Sequence, residues 1–231
     1  MLKFAHRGAS GSAPENTLAA IKKAVDLGAV AIEFDVQLTK DRKVVVIHDY
    51  KVDRTTNGKG YVMNKSLADL KKLDVGSWFG NEYTDEKIAT LEEVIECLPN
   101  NILLNIEIKS FMLDIRDISK FVVDIVKKYE IQERVIISSF DHKLLKKVRE
   151  LDENIRIGML FYGKLLDIEK YPPLKYLKPY SIHLSSEYLD KEDLEKLKKL
   201  PYKIYSYTIN DEKLAKIFGE YGLNGYFTDY P

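Results

Sequence analysis

Glu33 and Asp35 stand two residues apart in Ala31-Ile32-Glu33-Phe34-Asp35-Val36, a run in which apolar and acidic residues alternate. On a β-strand this puts both carboxylates on one face and Ile32, Phe34 and Val36 on the other, with roughly 7 Å between the two acidic positions. Such a pair repels itself unless a cation, a shared proton or a basic partner intervenes, and a bound cation is the favoured explanation. Asn105-Ile106-Glu107-Ile108-Lys109 repeats the pattern, with Asn105, Glu107 and Lys109 on one face. Glu33, Asp35 and Glu107 together offer the oxygen ligands that suit a hard cation such as Mg²⁺, Ca²⁺ or Mn²⁺. Arg7 and Lys109 can hold an anionic oxygen, Arg by its planar fork and Lys as a point charge. His6 and His48 close short apolar runs and titrate near neutral pH, so they are candidates for a general acid and a general base. Taken together, these parts describe metal-assisted cleavage of a phosphodiester.

The elements that must carry these groups alternate. After a strand over residues 2–5, Asn16 is placed to cap a helix that runs to about residue 27, where Gly28 stops it. Residues 30–48 read as two strands joined by a turn too short for a helical crossover, with residues 36–39 descending beside rising residues 44–47. That second strand delivers His48 and Asp49 at its C-terminal end. Residues 50–89 break the rhythm: Thr55-Thr56-Asn57-Gly58-Lys59-Gly60 is a turn signal, residues 67–73 a short helix, and Gly76-Ser77-Trp78-Phe79-Gly80 an aromatic loop. They read as an insertion over one face, beside the mouth of the site. From Thr90 onward, helices at 91–98, 117–129, 141–151, 190–200 and 211–221 lead into strands at 102–108, 135–138, 155–161, 204–207 and 225–228, and a less regular segment with Pro172-Pro173 precedes a strand at 181–184. This is the α/β pattern of a parallel sheet with helices outside it, in a single domain over residues 1–231. Nine strand candidates compete for the eight places of a closed barrel, and the sequence does not say which is irregular.

The composition fits this reading. The chain has 231 residues, 45% hydrophobic and 31% charged, with Lys plus Arg equal to Asp plus Glu. Zero net charge argues against nucleic acid as an obligatory partner. No apolar signal region opens the chain and no window approaches a membrane span, so a cytoplasmic location without an integral membrane segment is the default. The single cysteine, Cys97, beside Val94, Ile95 and Leu98, reads as a buried helix residue. His142 is expected at the surface, His183 inside a strand in a structural role, and Lys196, Lys198 and Lys199 on a solvated face. Fifteen tyrosines allow a homodimer without defining an interface. The residues alone leave two other readings open. One is a barrel that binds a phosphodiester or metal without turnover. The other is a metal-dependent sugar isomerase or aldolase, for which Lys109 is the candidate Schiff-base lysine.

The ordered motifs resemble those of the glycerophosphodiester phosphodiesterases, relatives of the phosphatidylinositol-specific phospholipase C-like enzymes. They are His6-Arg7-Gly8, Pro14-Glu15-Asn16-Thr17, Glu33-Phe34-Asp35-Val36, Val46-Ile47-His48-Asp49, Arg54-Thr55-Thr56-Asn57-Gly58-Lys59-Gly60, Ile106-Glu107-Ile108-Lys109, Ser138-Ser139-Phe140, Tyr207-Thr208-Ile209-Asn210 and Thr228-Asp229-Tyr230-Pro231. The resemblance spans the chain. It implies a TIM (β/α)8 barrel, irregular around strands 2–3, with a small insertion after strand 3. It also implies hydrolysis of glycerophosphodiesters, such as glycerophosphocholine or glycerophosphoethanolamine, to glycerol 3-phosphate and an alcohol, with Mg²⁺ or Ca²⁺. Carried over by position, Glu33, Asp35 and Glu107 become metal ligands and His6 and His48 the acid–base pair. Arg7, Lys109, Glu15, Phe140 and Tyr207 become substrate-binding residues. Many members carry Trp where this chain has Tyr207. Lysophospholipids are the alternative substrate, with Trp78 and Phe79 lining a groove for an acyl chain.

Overall fold

The computed structural model describes every residue except Met112, Leu113, Ile115 and Leu165. Eight parallel strands close into a ring. They are β1 (Leu2–His6), β2 (Ala31–Leu38), β4 (Leu103–Ile108), β5 (Val135–Ser139), β6 (Arg156–Phe161), β7 (Ser181–Ser185), β8 (Lys203–Tyr207) and β9 (Gly225–Thr228). β1 pairs with both β9 and β2, which seals the barrel. The ninth strand, β3 (Val44–Val46), lies outside the ring and runs antiparallel to the outer half of β2.

The direction of this hairpin corrects the sequence reading. β2 is a single rising strand through Leu38, and β3 is the one that descends, with Val36 opposite Val46 and Leu38 opposite Val44. β2 keeps pairing in parallel with β4 as far as Val36, so it rises without a break, and the five-residue connection, too short for a crossover, sends β3 back down. His48 therefore reaches the mouth by coming back down beside Asp35, not by capping a rising strand.

Period two divides each ring strand. Ile32, Phe34, Val36, Leu104, Ile106, Ile108, Ile137 and Ile157 face outward and pack into the main hydrophobic core, under the helices. Those helices are α1 (Leu18–Asp26), α3 (Leu91–Cys97), α4 (Ile118–Lys128), α5 (His142–Leu151), α6 (Pro173–Leu177), α7 (Lys191–Leu197) and α8 (Glu212–Tyr221), with the single turn α2 (Leu67–Leu70) apart from them. α4 shows why they form. Asp117 caps its first turn, and Ile118, Val122, Val123, Ile125 and Val126 recur at helical spacing on the buried side. Facing inward are Phe4, Ala31, Ile136, Tyr205 and Phe227, a separate apolar plug that fills the barrel below the polar groups.

Residues 50–89 carry a small core of their own, in which Val52, Val62, Leu70, Val75 and Ile88 close over Val45 and Ile47. They are tied to the loop after β1 through the Tyr83 hydroxyl, which donates to Ser12 O at 2.8 Å. Two further expectations change. The cap of α1 is Thr17, whose Oγ1 accepts from Ala20 N, and Asn16 sits in a left-handed conformation outside the helix. Cys97 is half-buried rather than buried. Among the described residues, no helix is long and apolar enough to cross a membrane.

Candidate active site

Register brings the acidic groups together. In the parallel ladders His6 lies opposite Glu33, Glu33 opposite Asn105, and Asp35 opposite Glu107. One carboxylate oxygen from each of Glu33, Asp35 and Glu107 lies within 4.8 Å of the other two. All three residues are buried. The site treats them unequally. Burial, reinforced by Asp35 and Glu107, pushes the Glu33 carboxyl well above the ordinary carboxylate range. Burial and Asp35 likewise raise Glu107, against the pull of Lys109. For Asp35 burial acts in the same direction, but Lys109, Arg7, His48 and the Asn16 amide outweigh it and hold Asp35 well below its usual value.

Two cations stand among the three carboxylates. Lys109 Nζ is 2.7 Å from Glu107 Oε1 and 3.5 Å from Asp35 Oδ1; burial alone would lower its pKa, but Asp35 and Glu107 outweigh that and raise it. Arg7 donates from Nη1 to Glu15 at 2.8 Å and places Nε 3.5 Å from Asp35 Oδ2. Its backbone is left-handed, which aims its N–H at Glu33 Oε2 at 3.0 Å. The next residue, Gly8, also has positive φ, and a Cβ there would fall 2.6 Å from the backbone of Ala20, so only glycine lets this loop cross α1. Three carboxylates thus face two cations, one of which, Arg7, is also engaged by Glu15, so the negative charge of the set is not balanced. Glu33 Oε1 is buried with no hydrogen-bond partner. A buried oxygen without a donor, inside a cluster of excess negative charge, is the chemistry a hard divalent cation satisfies, so these residues fit one.

Both histidines turn their Nδ1 to a carboxylate. His6 Nδ1 is 2.7 Å from Asp229 Oδ1, which leaves Nε2 facing the acidic cluster, 4.0 Å from Glu33. Asp229 is itself gripped by Ser10 and Asn210, and with His6 they hold it well below the usual range despite its burial. His48 Nδ1 is 2.7 Å from Asp49 Oδ1. Arg54 donates to both oxygens of Asp49 and both of Glu15, and Asp49 is lowered to about 2, chiefly by those Arg54 bonds. One chain of contacts, Arg7–Glu15–Arg54–Asp49–His48, thus spans the mouth. Burial lowers the pKa of His48, and Lys109 and Arg7 add to the effect against the pull of Asp35 and Asp49, which favours the neutral imidazole. The segment carrying His48 is pinned by Gln37 of β2, whose Nε2 lies 3.0, 3.0 and 2.7 Å from the carbonyls of Ile47, His48 and Asp49.

The structure brings His6, Arg7, Glu15, Glu33, Asp35, His48, Glu107 and Lys109 together at this end of the barrel. Phe140 and Tyr207 meet edge to face with ring centroids 5.9 Å apart, and Lys109 Nζ lies 5.9 Å over the Phe140 ring. Trp78 and Phe79 pack edge to face, and Phe79 meets Tyr83 in the same way. His142 is not a free surface group, since its two nitrogens meet the Tyr171 hydroxyl and Leu160 O, each at 3.0 Å. Sequence reasoning gave Asn16 a helix cap instead of a place in the site, and gave Gln37, Arg54 and Asp229 no individual role. Asn16 donates to Asp35 Oδ2 at 2.9 Å and accepts from Asp35 N. The sequence signal was present for Asn16, Arg54 and Asp229, which all sit inside ordered motifs. Gln37 had none beyond sharing the inward parity of Glu33 and Asp35.

Known proteins match along the whole chain. The sequence model of the glycerophosphoryl diester phosphodiesterase family matches residues 6–231. A glycerophosphodiester phosphodiesterase of Caldanaerobacter subterraneus subsp. tengcongensis is 41% identical over 231 residues, which is 100% of this chain and 94% of that protein. An Oleispira antarctica phosphodiesterase, solved in complex with the product sn-glycerol-3-phosphate, superposes with a TM-score of 0.94 at 35% identity, covering 100% of this chain and 94% of the other. The Thermotoga maritima glycerophosphodiester phosphodiesterase is 31% identical, with a TM-score of 0.78 over 99% of this chain and 94% of its own. The chain belongs to the glycerophosphoryl diester phosphodiesterase family.

Proposed function

We propose that this chain hydrolyses glycerophosphodiesters to glycerol 3-phosphate and an alcohol, as one catalytic unit over residues 1–231 that needs a divalent cation. The observation that carries the reading is the buried triad of Glu33, Asp35 and Glu107, within 4.8 Å of one another and flanked by two carboxylate-held histidines. The names of the relatives support it. Glu33, Asp35 and Glu107 would hold Mg²⁺ or Ca²⁺, with Mn²⁺ also suited to the oxygen set. When bound, the ion supplies Lewis-acid neutralisation of phosphoryl charge.

The remaining steps belong to the chain's own residues. Arg7 and Lys109 hold the anionic phosphoryl oxygens, Arg7 kept in place by Glu15. Phe140 and Tyr207 form an aromatic wall for the apolar side of the substrate. His48, whose neutral form burial favours, is the group ready to accept a proton at Nε2 from the attacking hydroxyl, so it serves as the base. As the attacking oxygen bonds to phosphorus and the bond from phosphorus to the alcohol oxygen breaks, His6 gives the proton on its own Nε2 to that leaving oxygen. With water as the attacker the products are glycerol 3-phosphate and the alcohol, and proton exchange with solvent resets both histidines. Asp229 and Asp49 are positioning residues, each fixing the tautomer and ring direction of its histidine.

The test is release of glycerol 3-phosphate from glycerophosphocholine by chelator-stripped protein, with Mg²⁺, Ca²⁺, Mn²⁺ and Zn²⁺ restored separately and His6→Ala as control. Release that returns with a metal and is lost in the variant supports the reading. No release with any metal, from protein shown to be folded, overturns it.

A further inference from the structure

Two sectors divide the rim of the barrel. Around β9, β1, β2 and β4 it is charged: Asp229, His6, Arg7, Asp35, Glu107 and Lys109. Around β5 to β8 it is aromatic: Phe140 and Tyr162 directly follow β5 and β6, Tyr188 lies three residues past the end of β7, and Tyr207 closes β8. These rings are not spare core. Tyr162 is 63% exposed, Phe140 44% and Tyr188 38%, a solvent-facing cluster of the kind that marks a binding surface. Tyr162 and Tyr188 meet edge to face with centroids 5.2 Å apart, and their hydroxyls are 3.4 Å from each other. The Tyr162 hydroxyl is 3.5 Å from Glu187 Oε2. Glu187 makes no ion pair with any described residue, unlike the nearby Asp190 and Asp193, which share Lys164.

The aromatic sector adjoins the acidic cluster. Tyr207 bridges the two, with its hydroxyl donating to Phe161 O at 2.7 Å. Burial raises its phenol, and the fields of Glu107 on one side and of Tyr162 and Glu187 on the other add to that. A substrate held by its phosphate at Arg7 and Lys109 would extend one ester arm past Tyr207 toward Tyr162, Tyr188 and Glu187. Ring faces with an uncompensated carboxylate behind them attract a cation, and weakly hydrated quaternary ammonium groups most of all.

We infer that Tyr162, Tyr188 and Glu187 form a subsite for a cationic leaving alcohol, so that within the hydrolysis proposed above the chain selects diesters of amino alcohols, trimethylated ones foremost, over diesters of neutral polyols. The match is one of charge order: phosphate against Arg7 and Lys109, ammonium against the aromatic rim.

The experiment compares kcat/KM for glycerophosphocholine and for glycerophosphoglycerol, a neutral-alcohol competitor, in the metal-loaded parent, Tyr162→Leu and Glu187→Gln. Both variants change exposed side chains. The parent is expected to favour the choline diester by about fivefold or more, the scale of one exposed cation–ring contact. Tyr162→Leu should bring that ratio close to one, and Glu187→Gln should lower it by about threefold. Equal use of both diesters by the parent, or a preference that neither variant moves, overturns the inference while leaving the diesterase reading intact. Saturation transfer from the protein to the methyl protons of phosphocholine reads the subsite without turnover. Transfer that is strong in the parent and lost in Tyr162→Leu supports the subsite even if no diester is cleaved, and transfer that is absent or equal in both overturns it.

Discussion

The two ends of the barrel interior are built on the same strands and differ by one step of the pleat. At the closed end Phe4 stacks on Phe227 at 4.7 Å and meets Tyr205 edge to face at 5.1 Å, with Ala31 and Ile136 filling the gaps. Two residues further along, the same strands carry His6 and Glu33 in place of Phe4 and Ala31. There, oxygen and nitrogen stand in for carbon, Glu33 Oε1 and Arg7 Nε are buried without a hydrogen bond, and neighbouring carboxyls are shifted in opposite directions. The lower layer lowers the free energy of the fold through contact area, whereas the upper layer keeps charge in a setting that only a ligand completes. Stability and chemistry are therefore separable within about 7 Å of one strand.

The separation is broken most directly by single truncations. His6→Ala or His48→Ala is expected to lower kcat by about 10² to 10⁴, the scale of one acid–base group, with little change in urea midpoint. If both variants kept nearly full turnover, the upper layer would lose its assigned chemistry. Phe4→Ala is the opposite probe. It removes a fully buried ring from the plug and is expected to cost about 3–5 kcal/mol of unfolding free energy, while kcat per folded molecule stays close to the parent's. A large loss of kcat in molecules that remain folded would show that the plug and the mouth are coupled.

Glu33→Gln sharpens the comparison because its effects run in opposite directions. In chelated parent, the unfolded chain ionises Glu33 near its ordinary value, whereas the folded protein resists ionisation until higher pH. The unfolded state thus binds fewer protons over that window, and metal-free stability falls as pH rises above about 4.5. Gln removes the titration, so the chelated variant should exceed the parent in stability at pH 7 while gaining less from added Mg²⁺ or Ca²⁺. Equal thermal shifts on metal addition would remove Glu33 from the ligand set.

The same contrast explains what the sequence could tell. The alternation in β2 and β4 exposed the three carboxylates and Lys109, because a polar residue at every second position of an otherwise apolar strand is costly to bury and so conspicuous. The ring of eight strands followed from the strand–helix alternation and from the family resemblance. The hairpin's direction did not, since Val36-Gln37-Leu38-Thr39 and Val44-Val45-Val46-Ile47 suit an antiparallel pair on either assignment, and only the unbroken run of β2 from Ala31 to Leu38 decides which strand rises. Asn16 precedes a helix and is a good capping type, yet Thr17 takes that place and frees Asn16 to hold Asp35 across 19 positions. Gln37 and Asp229 act through partners 10–12 and 223 positions away, distances at which a single sequence carries no pairing signal.

His183 tests the lower layer on a finer scale. It is fully buried between Tyr205 and Phe227, its Nε2 meets Ser181 Oγ at 2.7 Å, and Gly158 leaves the room it needs, since a Cβ there would fall 2.6 Å from Nε2. Burial alone lowers its pKa to about 3, against about 6.5 for an unfolded chain. Between those values the unfolded state binds one more proton than the folded state, so this residue lowers stability as pH falls, by about 1.4 kcal/mol per unit. His183→Asn removes that proton uptake whatever it does to packing. Urea unfolding at pH 5.5 and 4.5 is therefore expected to show the parent losing about 1.4 kcal/mol more than the variant across the step. Because the slope is compared and not the absolute stability, a cavity left by the shorter side chain cancels. Parallel slopes would mean that His183 takes up a proton inside the folded barrel, and the plug beneath the site would then be wetter than its close-packed rings imply.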